Sequence, residues 1–229
     1  FVGVEPKAVG VENFLEEKLN LKWAKDRNVA IAPNGAMFKR DKQGFLPELM
    51  EKMYTERVVY KKKAIEAKKE FQKTKDPIYS NEISRCHNIQ MAKKISLNSA
   101  YGAIGNQYFR YFDVKQAEAI TLGGQLSIRW VERDVNRFMN KLLGTDNKNY
   151  VVASDTDSIY LKLDTLVEKV CKGKSTKQIV EFLNKAAEDK IQKVIDDSYQ
   201  NLAHYVNAYQ QKMIMKREAI ANKGIWVAK

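Results

Sequence analysis

The chain has 229 residues, 44% of them hydrophobic, and its 40 Lys and Arg against 28 Asp and Glu give a formal net charge of +12. This length and apolar content allow a folded core, and no apolar run approaches the roughly 18 residues that cross a membrane. The basic balance is typical of proteins that bind nucleic acid or nucleotides, although ribosome-associated and other soluble basic proteins share it. The cysteines and histidines lack the spacing of metal ligands, which argues against a zinc site.

The first 45 residues have a mixed character. They contain a short helical pattern, "VENFLEEKLN", and a turn signal at Asn34-Gly35. The start, "FVGVEPKAVG", has neither the basic region nor the apolar core of a signal peptide, so we expect a cytoplasmic protein. The first residue is Phe, and the end, "GIWVAK", reads as the middle of a strand. Both features are typical of a fragment of a longer protein.

Three long helices are predicted in the centre of the chain. One runs from Pro47 to a break at Asp76-Pro77, and the next runs from about Ser80 through "NEISRCHNIQMAKKISLNSAYG". Because a short turn joins them, we expect an antiparallel helical hairpin. An aromatic piece, "YFRYFD", is predicted to be extended, and the third helix begins at "VKQAEAI" and ends at Gly144.

The last third of the chain combines strands with helices. A strand-turn-strand pattern covers residues 150–163, and a helical region runs from Ser175 to about Ala208. The alternating stretch "QKMIMKREAI", a turn near Asn222 and the start of a strand follow. This order predicts an α+β protein with a mainly antiparallel sheet and helices on one face.

Two acids lie in the middle of the strand-turn-strand pattern, "YVVASDTDSIYLKL". Asp155 and Asp157 are two residues apart, so their side chains leave the same side of an extended or tightly turned segment. Such close carboxylates repel unless a cation lies between them, and Mg²⁺ takes oxygen ligands. The simplest alternative is a turn without function, since Asp and Ser favour turns. Another is the Asp-x-Asp motif of haloacid-dehalogenase phosphatases, but that motif needs a parallel doubly wound sheet, whose strand-helix alternation is absent.

A second pattern lies in "KKISLNSAYGAIGN". On a helix, Lys94, Asn98 and Tyr101 fall in a stripe about 60° wide. A cation, an amide and an aromatic ring then face one way, and they can bind a phosphate, hydrogen-bond and stack. Gly102 beside Tyr101 permits the close approach of a backbone or a base pair. The alternative is that the polar residues are solvated and Tyr101 packs in the core.

The preceding helix carries further cations. Arg57 and Lys61 are four residues apart and therefore share one face. For Lys61, Lys62 and Lys63 the alternative interpretation is a solvated charge run.

These stretches resemble one family. "KISLNSAYG" resembles motif B of family B DNA polymerases and "SDTDSIY" resembles their motif C, in the same order along the chain. Their flanks, among them "NQYFRYFDVKQAEAITLGGQLSIRWVE" and "MKREAIANKGIWVAK", are similar as well. The resemblance covers nearly the whole chain and is greatest to the replicative polymerases of T-even-type phages.

The resemblance implies roles for single residues. Asp157 is implied as the motif C ligand of the catalytic metals, with Asp155 as a weaker or conditional contributor and Glu218 as an acidic neighbour of the metals. The other implied roles are triphosphate binding by Arg57, Lys61 and Lys94, support of that contact by Asn98, a border to the nascent base pair from Tyr101 and Gly102, and DNA contact by Lys223 and Lys229.

The family also implies a fold and a reaction. The expected fold is an antiparallel palm sheet of ferredoxin-like (RRM-like) type packed on helices, with a protruding helical-hairpin fingers subdomain. Residues 1–45 would lead into the fingers, residues 46–102 would form them, and residues 103–229 would belong to the palm. The primer 3′-hydroxyl attacks the α-phosphate of a deoxynucleoside triphosphate, assisted by two Mg²⁺ ions, with Mn²⁺ as a substitute. The expected partners are primer-template DNA, deoxynucleoside triphosphates and the rest of the polymerase, in the cytoplasm of the host cell for a phage protein, with no membrane.

The chain also departs from the family pattern. The motif A segment, Asp-x-x-Ser-Leu-Tyr-Pro-Ser, does not occur in the 229 residues, and Ala153-Ser154 replace the usual Tyr-Gly of motif C. Exonuclease and thumb regions are absent too, so we expect no activity from the chain alone and self-association through the exposed palm sheet. Two classes of function remain: part of a polymerase, either cut from a longer protein or one subunit of a naturally split enzyme, or a non-catalytic module that binds nucleic acid or nucleotide.

Overall fold

The computed structural model describes residues 1–225, which are mostly helical and form two small antiparallel sheets, so the predicted α+β class is confirmed. The chain divides into two compact units. The split unit comprises Phe1–Lys39 together with the residues from Ala119 onward, and the hairpin unit comprises Arg40–Glu118. No helix in this part of the chain is both long and apolar enough to span a membrane.

The first sheet of the split unit contains the predicted turn at Asn34-Gly35. The Gly35 N–H donates to the Ala32 carbonyl at 2.8 Å, which closes the turn. Gly35 has a φ of 80°, and a Cβ there would lie 2.4 Å from the Glu5 carbonyl oxygen, so only glycine fits this crossing. The sheet has the order β1-β3-β2, and its elements with the two intervening helices are β1 (Gly3–Val9), α1 (Val11–Leu15), α2 (Lys22–Asp26), β2 (Val29–Ile31) and β3 (Asn34–Lys39).

The hairpin unit is built on two long helices, α3 (Phe45–Thr74) and α4 (Pro77–Ile104). Two residues join them, so the helices run antiparallel. Asp76 begins α4, because its carboxylate accepts the Ile78 N–H at 2.9 Å and Pro77 suits the first helical position. Both helices start two or three residues earlier than predicted.

The prediction of an extended "YFRYFD" piece is wrong. Residues 106–113 form successive turns, in which the Phe109 N–H donates to the Asn106 carbonyl at 2.9 Å and the Phe112 N–H to the Phe109 carbonyl at 3.0 Å. The Asp113 N–H closes the segment on the Ile104 carbonyl at 3.0 Å. Aromatic residues favour strands, but here local hydrogen bonds decide the conformation.

The second sheet of the split unit is the predicted strand-turn-strand. Val151 of β4 is buried, and Ile159 and Leu161 of β5 pack on the same core, which α5 lines with Val131 and Val135. The helix α5 ends at Gly144, which has a φ of 62°, as predicted. The elements are α5 (Val114–Leu143), β4 (Val151–Asp155), β5 (Ser158–Leu161), α6 (Asp164–Val170), α7 (Thr176–Ala186), a π-helical turn (Ala187–Ile191) and α8 (Gln192–Tyr205).

The alternating stretch "QKMIMKREAI" does not form a strand, because residues 206–225 contain none. Side chains hold this tail instead: the Gln192 amide donates to the Met215 carbonyl at 2.8 Å, and Met215 and Ile220 pack against the core. The strands of residues 1–225 thus form two separate sheets and not one palm sheet. The strand predicted to start in "GIWVAK" falls mainly on residues 226–229, which lie outside the described residues. Lys229, a predicted DNA contact, also lies outside the described residues.

Candidate functional site

The tip of the β4–β5 hairpin carries both predicted acidic residues. Asp155 is the last residue of β4, and Asp157 lies in the two-residue turn before β5. Thr156 has a φ of 52°, and the Asp157 N–H donates to the Asp155 carbonyl at 2.6 Å, so the turn is tight. Both aspartates are exposed.

The hairpin is held from behind by α5. The Asn136 side-chain oxygen accepts the N–H groups of Tyr150 and Val151, at 2.7 and 3.1 Å, just where β4 begins. The Tyr150 ring is buried, and its hydroxyl lies 2.8 Å from Thr145 Oγ1. A buried core and a helix side chain therefore fix the strand that leads to Asp155.

The two carboxylates differ in their surroundings. Asp155 accepts a hydrogen bond from Thr156 Oγ1 at 3.1 Å, whereas the Asp157 carboxylate has no hydrogen-bond or ion-pair partner within residues 1–225. Burial raises the pKa of the Tyr199 hydroxyl, and the charge of Asp157 raises it further, so this carboxylate lies near the buried ring. Asp157 is therefore the more available ligand for a cation.

The hairpin tip presents two carboxylates as candidate oxygen ligands for a cation. Two exposed carboxylates on one turn are ligands of the type that Mg²⁺ takes together with waters and substrate phosphates. Across the described chain, no three acidic, histidine or cysteine side chains come close enough to hold a metal, so Glu218 does not join Asp155 and Asp157. Glu218 and Lys223 are both exposed on the tail.

The ion pair between Glu56 and Lys93 shows on which side of the hairpin unit the predicted cations lie. The Lys93 ammonium donates to the Glu56 carboxylate, which links α3 to α4. Glu56 and Lys93 face each other, and the next residue of each helix is rotated by about 100° from them. Because the helices are antiparallel, these next residues, Arg57 and Lys94, lie on the same side of the hairpin. Lys61, four residues beyond Arg57, lies on this side as well. We call it the cationic side.

Asn98 and Tyr101 of the predicted stripe continue the cationic side along α4. Asn98 is exposed and Tyr101 is 46% exposed, so the alternative of a Tyr101 packed in the core is wrong. A Cβ on Gly102 would meet no atom within 4 Å, which leaves open space beside the Tyr101 ring. The stripe predicted from the sequence is thus available to a ligand.

Sequence reasoning missed two features of this unit. Arg57 Nε is buried and has no hydrogen-bond partner among the described residues. Lys93 is only 24% exposed, since it lies on the α4 face that packs on α3. Cys86, Leu97 and Ile104 mark that face by their helical spacing, and Lys93 falls on the same face. The sequence therefore already indicated that Lys93 would be partly buried.

Comparison with known proteins agrees with these features. Residues 9–223 match DNA polymerase family B. The chain is 32% identical to the DNA-directed DNA polymerase of Enterobacteria phage T4 and 30% identical to that of Escherichia phage RB69, over 86% of this chain in each case. DNA polymerase 1 of Pyrococcus abyssi is 29% identical over 80% of this chain and 21% of its own length.

The chain therefore belongs to DNA polymerase family B. The two phage relatives confirm the predicted similarity to T-even-type polymerases. The chain spans 28% of the length of each of these phage proteins.

Proposed function

We propose that this chain is the fingers and palm part of a DNA-directed DNA polymerase that adds deoxynucleotides to a primer 3′-hydroxyl. The observation that carries the proposal is the exposed Asp157 carboxylate, which lies at the tip of a hairpin anchored in a core and has no protein partner among residues 1–225. Because this exposed carboxylate is not paired with any of the many cations in the described part of the chain, it is available to bind a metal cation. The phage relatives named DNA-directed DNA polymerases support the same conclusion.

In the intact enzyme, Asp157 is the principal ligand of Mg²⁺, or of Mn²⁺ as a substitute, and Asp155 assists. When bound, two such ions stabilise the attacking and the leaving oxygens of phosphoryl transfer. The tight turn fixes both carboxylates relative to β4 and β5, so the hairpin presents them without rearrangement.

The cationic side binds the other substrate. Arg57, Lys61 and Lys94 neutralise the triphosphate of the incoming deoxynucleotide, because guanidinium and ammonium groups bind phosphate oxygens by charge-assisted hydrogen bonds. Asn98 supports this contact, and Tyr101 with Gly102 borders the nascent base pair. The exposure of Lys61, Lys94 and Asn98 on one side of the hairpin supports the assignment.

Residues 46–102 are the fingers and residues 103–229 belong to the palm, with residues 1–45 leading from one to the other. The division of the chain near residues 39 and 118 supports a separate fingers unit. In the intact palm, β4 and β5 are part of a ferredoxin-like antiparallel sheet that the rest of the polymerase completes.

The chain acts as one part of a larger site. Its 229 residues contain no motif A, which supplies another metal-binding aspartate in the family pattern. The remaining polymerase segments and primer-template DNA are therefore its partners, with Lys223 and Lys229 contacting DNA, in the cytoplasm of the host. Purified alone, the chain does not extend a primer.

Titration of the purified chain with a deoxynucleoside triphosphate tests the cationic side. Lys94→Ala and Lys61→Ala should each weaken binding about 3- to 10-fold, as expected for the loss of one charge-assisted contact. Lys63→Ala is the matched control, because Lys63 is two residues from Lys61 and turns to the opposite side of α3. Equal affinity of the wild type, Lys61→Ala and Lys94→Ala would contradict the assignment.

Primer extension separates the polymerase from a non-catalytic module. In a polymerase that contains this segment, Asp157→Asn should lower kcat by about 10²–10³-fold, the range for loss of one electrostatic contact in a transition state. Unchanged extension by that variant would contradict the proposed role of the hairpin, whereas extension by the 229-residue chain alone would contradict the proposal that the chain needs the rest of the polymerase.

A further inference from the structure

We propose that the Glu56–Lys93 ion pair is a positioning device, which sets the rotation and axial register of α3 against α4 so that Arg57 and Lys94 act together on one triphosphate. This proposal rests on the proposed function of the cationic side. Neither Glu56 nor Lys93 touches the substrate in this arrangement.

The first observation is where the pair lies. It connects two helices, whereas the pairs Glu70–Lys73 and Glu82–Arg85 each join residues of one helix. The side chain of Lys93 is 24% exposed and that of Glu56 is 41% exposed, so the pair is partly inside the helix contact. The hydrogen bond from Lys93 and its charge lower the pKa of Glu56, so the ion pair favours the ionised carboxylate.

The second observation is the kind of side chain buried along the two helices. The buried residue of α3 is Ala67, and those of α4 are Cys86 and Ile104, while the other apolar residues of both helices are only partly buried or exposed. Small or widely spaced buried side chains leave rotation and sliding of two long helices weakly determined. An ionic contact between the helices is then well suited to fix register, which is the best-attested role of such groups.

The third observation is the sequence adjacency of the two pairs. Arg57 follows Glu56 and Lys94 follows Lys93. A rotation of α4 by one residue, about 100°, takes Lys94 off the cationic side, and a slip by one turn moves it by about 5.4 Å along the axis. The ion pair therefore controls whether the two substrate cations are side by side.

The alternative is that Lys93 is itself a phosphate ligand. The Glu56 carboxylate argues against this, because it already pairs with the Lys93 ammonium and would repel a phosphate. The groove of about 420 Å³ that both residues line also includes Val59 and Lys63, which turn away from Arg57. The two hypotheses predict opposite effects of one substitution. Glu56→Gln releases the Lys93 ammonium, so a ligand role predicts tighter triphosphate binding and a positioning role predicts weaker binding.

The experiment uses the 229-residue chain with two readouts. One is the affinity for a deoxynucleoside triphosphate, and the other is the distance distribution between spin labels at Lys62 on α3 and His87 on α4, both exposed. The variants are Glu56→Gln, Lys93→Gln and the exchange Glu56→Lys with Lys93→Glu. Glu70→Gln is the matched control, since it breaks the ion pair with Lys73 within one helix.

We expect each single substitution to weaken triphosphate binding about 3- to 10-fold and to broaden the distance distribution, whereas the exchange restores both. Glu70→Gln should leave both unchanged. A narrow distribution and unchanged affinity in Glu56→Gln, or tighter binding in that variant, overturns the positioning role while the function of the cationic side stands. If Lys94→Ala binds like the wild type, the proposed function fails and the positioning proposal fails with it.

Discussion

The Glu82 carboxylate shows how neighbouring side chains set the charge of a single residue. It accepts hydrogen bonds from Arg85 Nε and Nη2 at 2.9 and 2.8 Å and from the Cys86 thiol at 3.1 Å. These bonds, chiefly those from Arg85, lower the pKa of Glu82 from 4.5 to about 2. Burial is the main cause that raises the pKa of the Cys86 thiol, so this cysteine stays a neutral donor. These three side chains link neighbouring turns in the first half of α4 and are separate from the residues of the cationic side.

Lowering the pH should therefore remove the stabilisation that Glu82 gives. Its folded pKa is about 2, below its ordinary value of 4.5, so protons bind preferentially to the unfolded chain. The contribution is complete above about pH 4.5 and is lost as the pH falls toward 2. Urea unfolding midpoints of the wild type and of Glu82→Gln should differ at pH 6 and converge toward pH 2.5.

The control for this titration is Glu66→Gln, which removes one exposed carboxylate from α3. A difference in urea midpoint between the wild type and Glu82→Gln that stays constant from pH 6 to pH 2.5 would show that the stabilisation does not depend on the ionised carboxylate.

At the scale of single elements, β4 depends on a side chain of α5. Asn136 supplies the acceptor for two backbone N–H groups, those of Tyr150 and Val151, which a neighbouring strand supplies in an ordinary sheet. Asn140 braces the approach to β4, because its amide donates to the Lys148 carbonyl at 2.8 Å. The start of the hairpin that carries Asp155 is thus fixed by helix side chains.

Replacing Asn136 should loosen β4 selectively. Asn136→Ala leaves two backbone donors without a partner and should cost about 1–3 kcal/mol in the free energy of unfolding. Amide hydrogen exchange at Tyr150 and Val151 should become faster. Asn136→Asp keeps an acceptor oxygen and should retain most of the protection.

Asn201→Ala serves as a control, since Asn201 is an exposed residue of α8. Equal loss of protection in Asn136→Ala and Asn136→Asp would mean that hydrogen bonding to the side-chain oxygen does not hold the strand.

The helices α3, α4 and α5 and the β4–β5 hairpin could be predicted from sequence, because α5 has a clear apolar period and each of these elements has a clear end. Asp76-Pro77 and Gly144 mark helix ends by local chemistry, and Asp155-Thr156-Asp157 marks a turn between two apolar runs. The stripe of Lys94, Asn98 and Tyr101 followed from helical spacing alone.

The remaining features depend on particular hydrogen bonds, local or between distant residues, that periodicity does not contain. The strand propensity of the tail was overridden by Gln192, which is 23 residues away from the Met215 carbonyl that it binds. The aromatic segment after α4 is shaped by side-chain hydrogen bonds such as that from the Tyr108 N–H to Asn106 Oδ1, at 3.0 Å. Pairing of Glu56 with Lys93 needs the register of two helices, which periodicity within either helix does not contain.

For the whole molecule, the second sheet determines how one copy can meet another. It has two strands among the described residues, so β4 and β5 each have an edge that no strand covers. Asn136 occupies the start of the β4 edge, which leaves the part toward Asp155 open. On the outward face, Val152 is 50% exposed and Tyr160 is 39% exposed. An open edge beside exposed apolar side chains is a template for pairing with a second chain.

We therefore expect the isolated chain to self-associate through β4 and β5, and Val152→Lys should shift it toward monomer. A lysine at Val152 adds charge to the exposed face, whereas one at Val151 or Leu161 enters the core and should unfold the chain, since Val151 is 6% exposed and Leu161 packs on the same cluster. Sedimentation velocity over a concentration series measures the shift. Val170→Lys is the matched control, because Val170 is 47% exposed on α6 and lies outside the sheet. A wild-type chain that sediments as a monomer at every concentration, with slow amide exchange along both strands, would contradict edge pairing, because the hairpin would then be protected within a single copy.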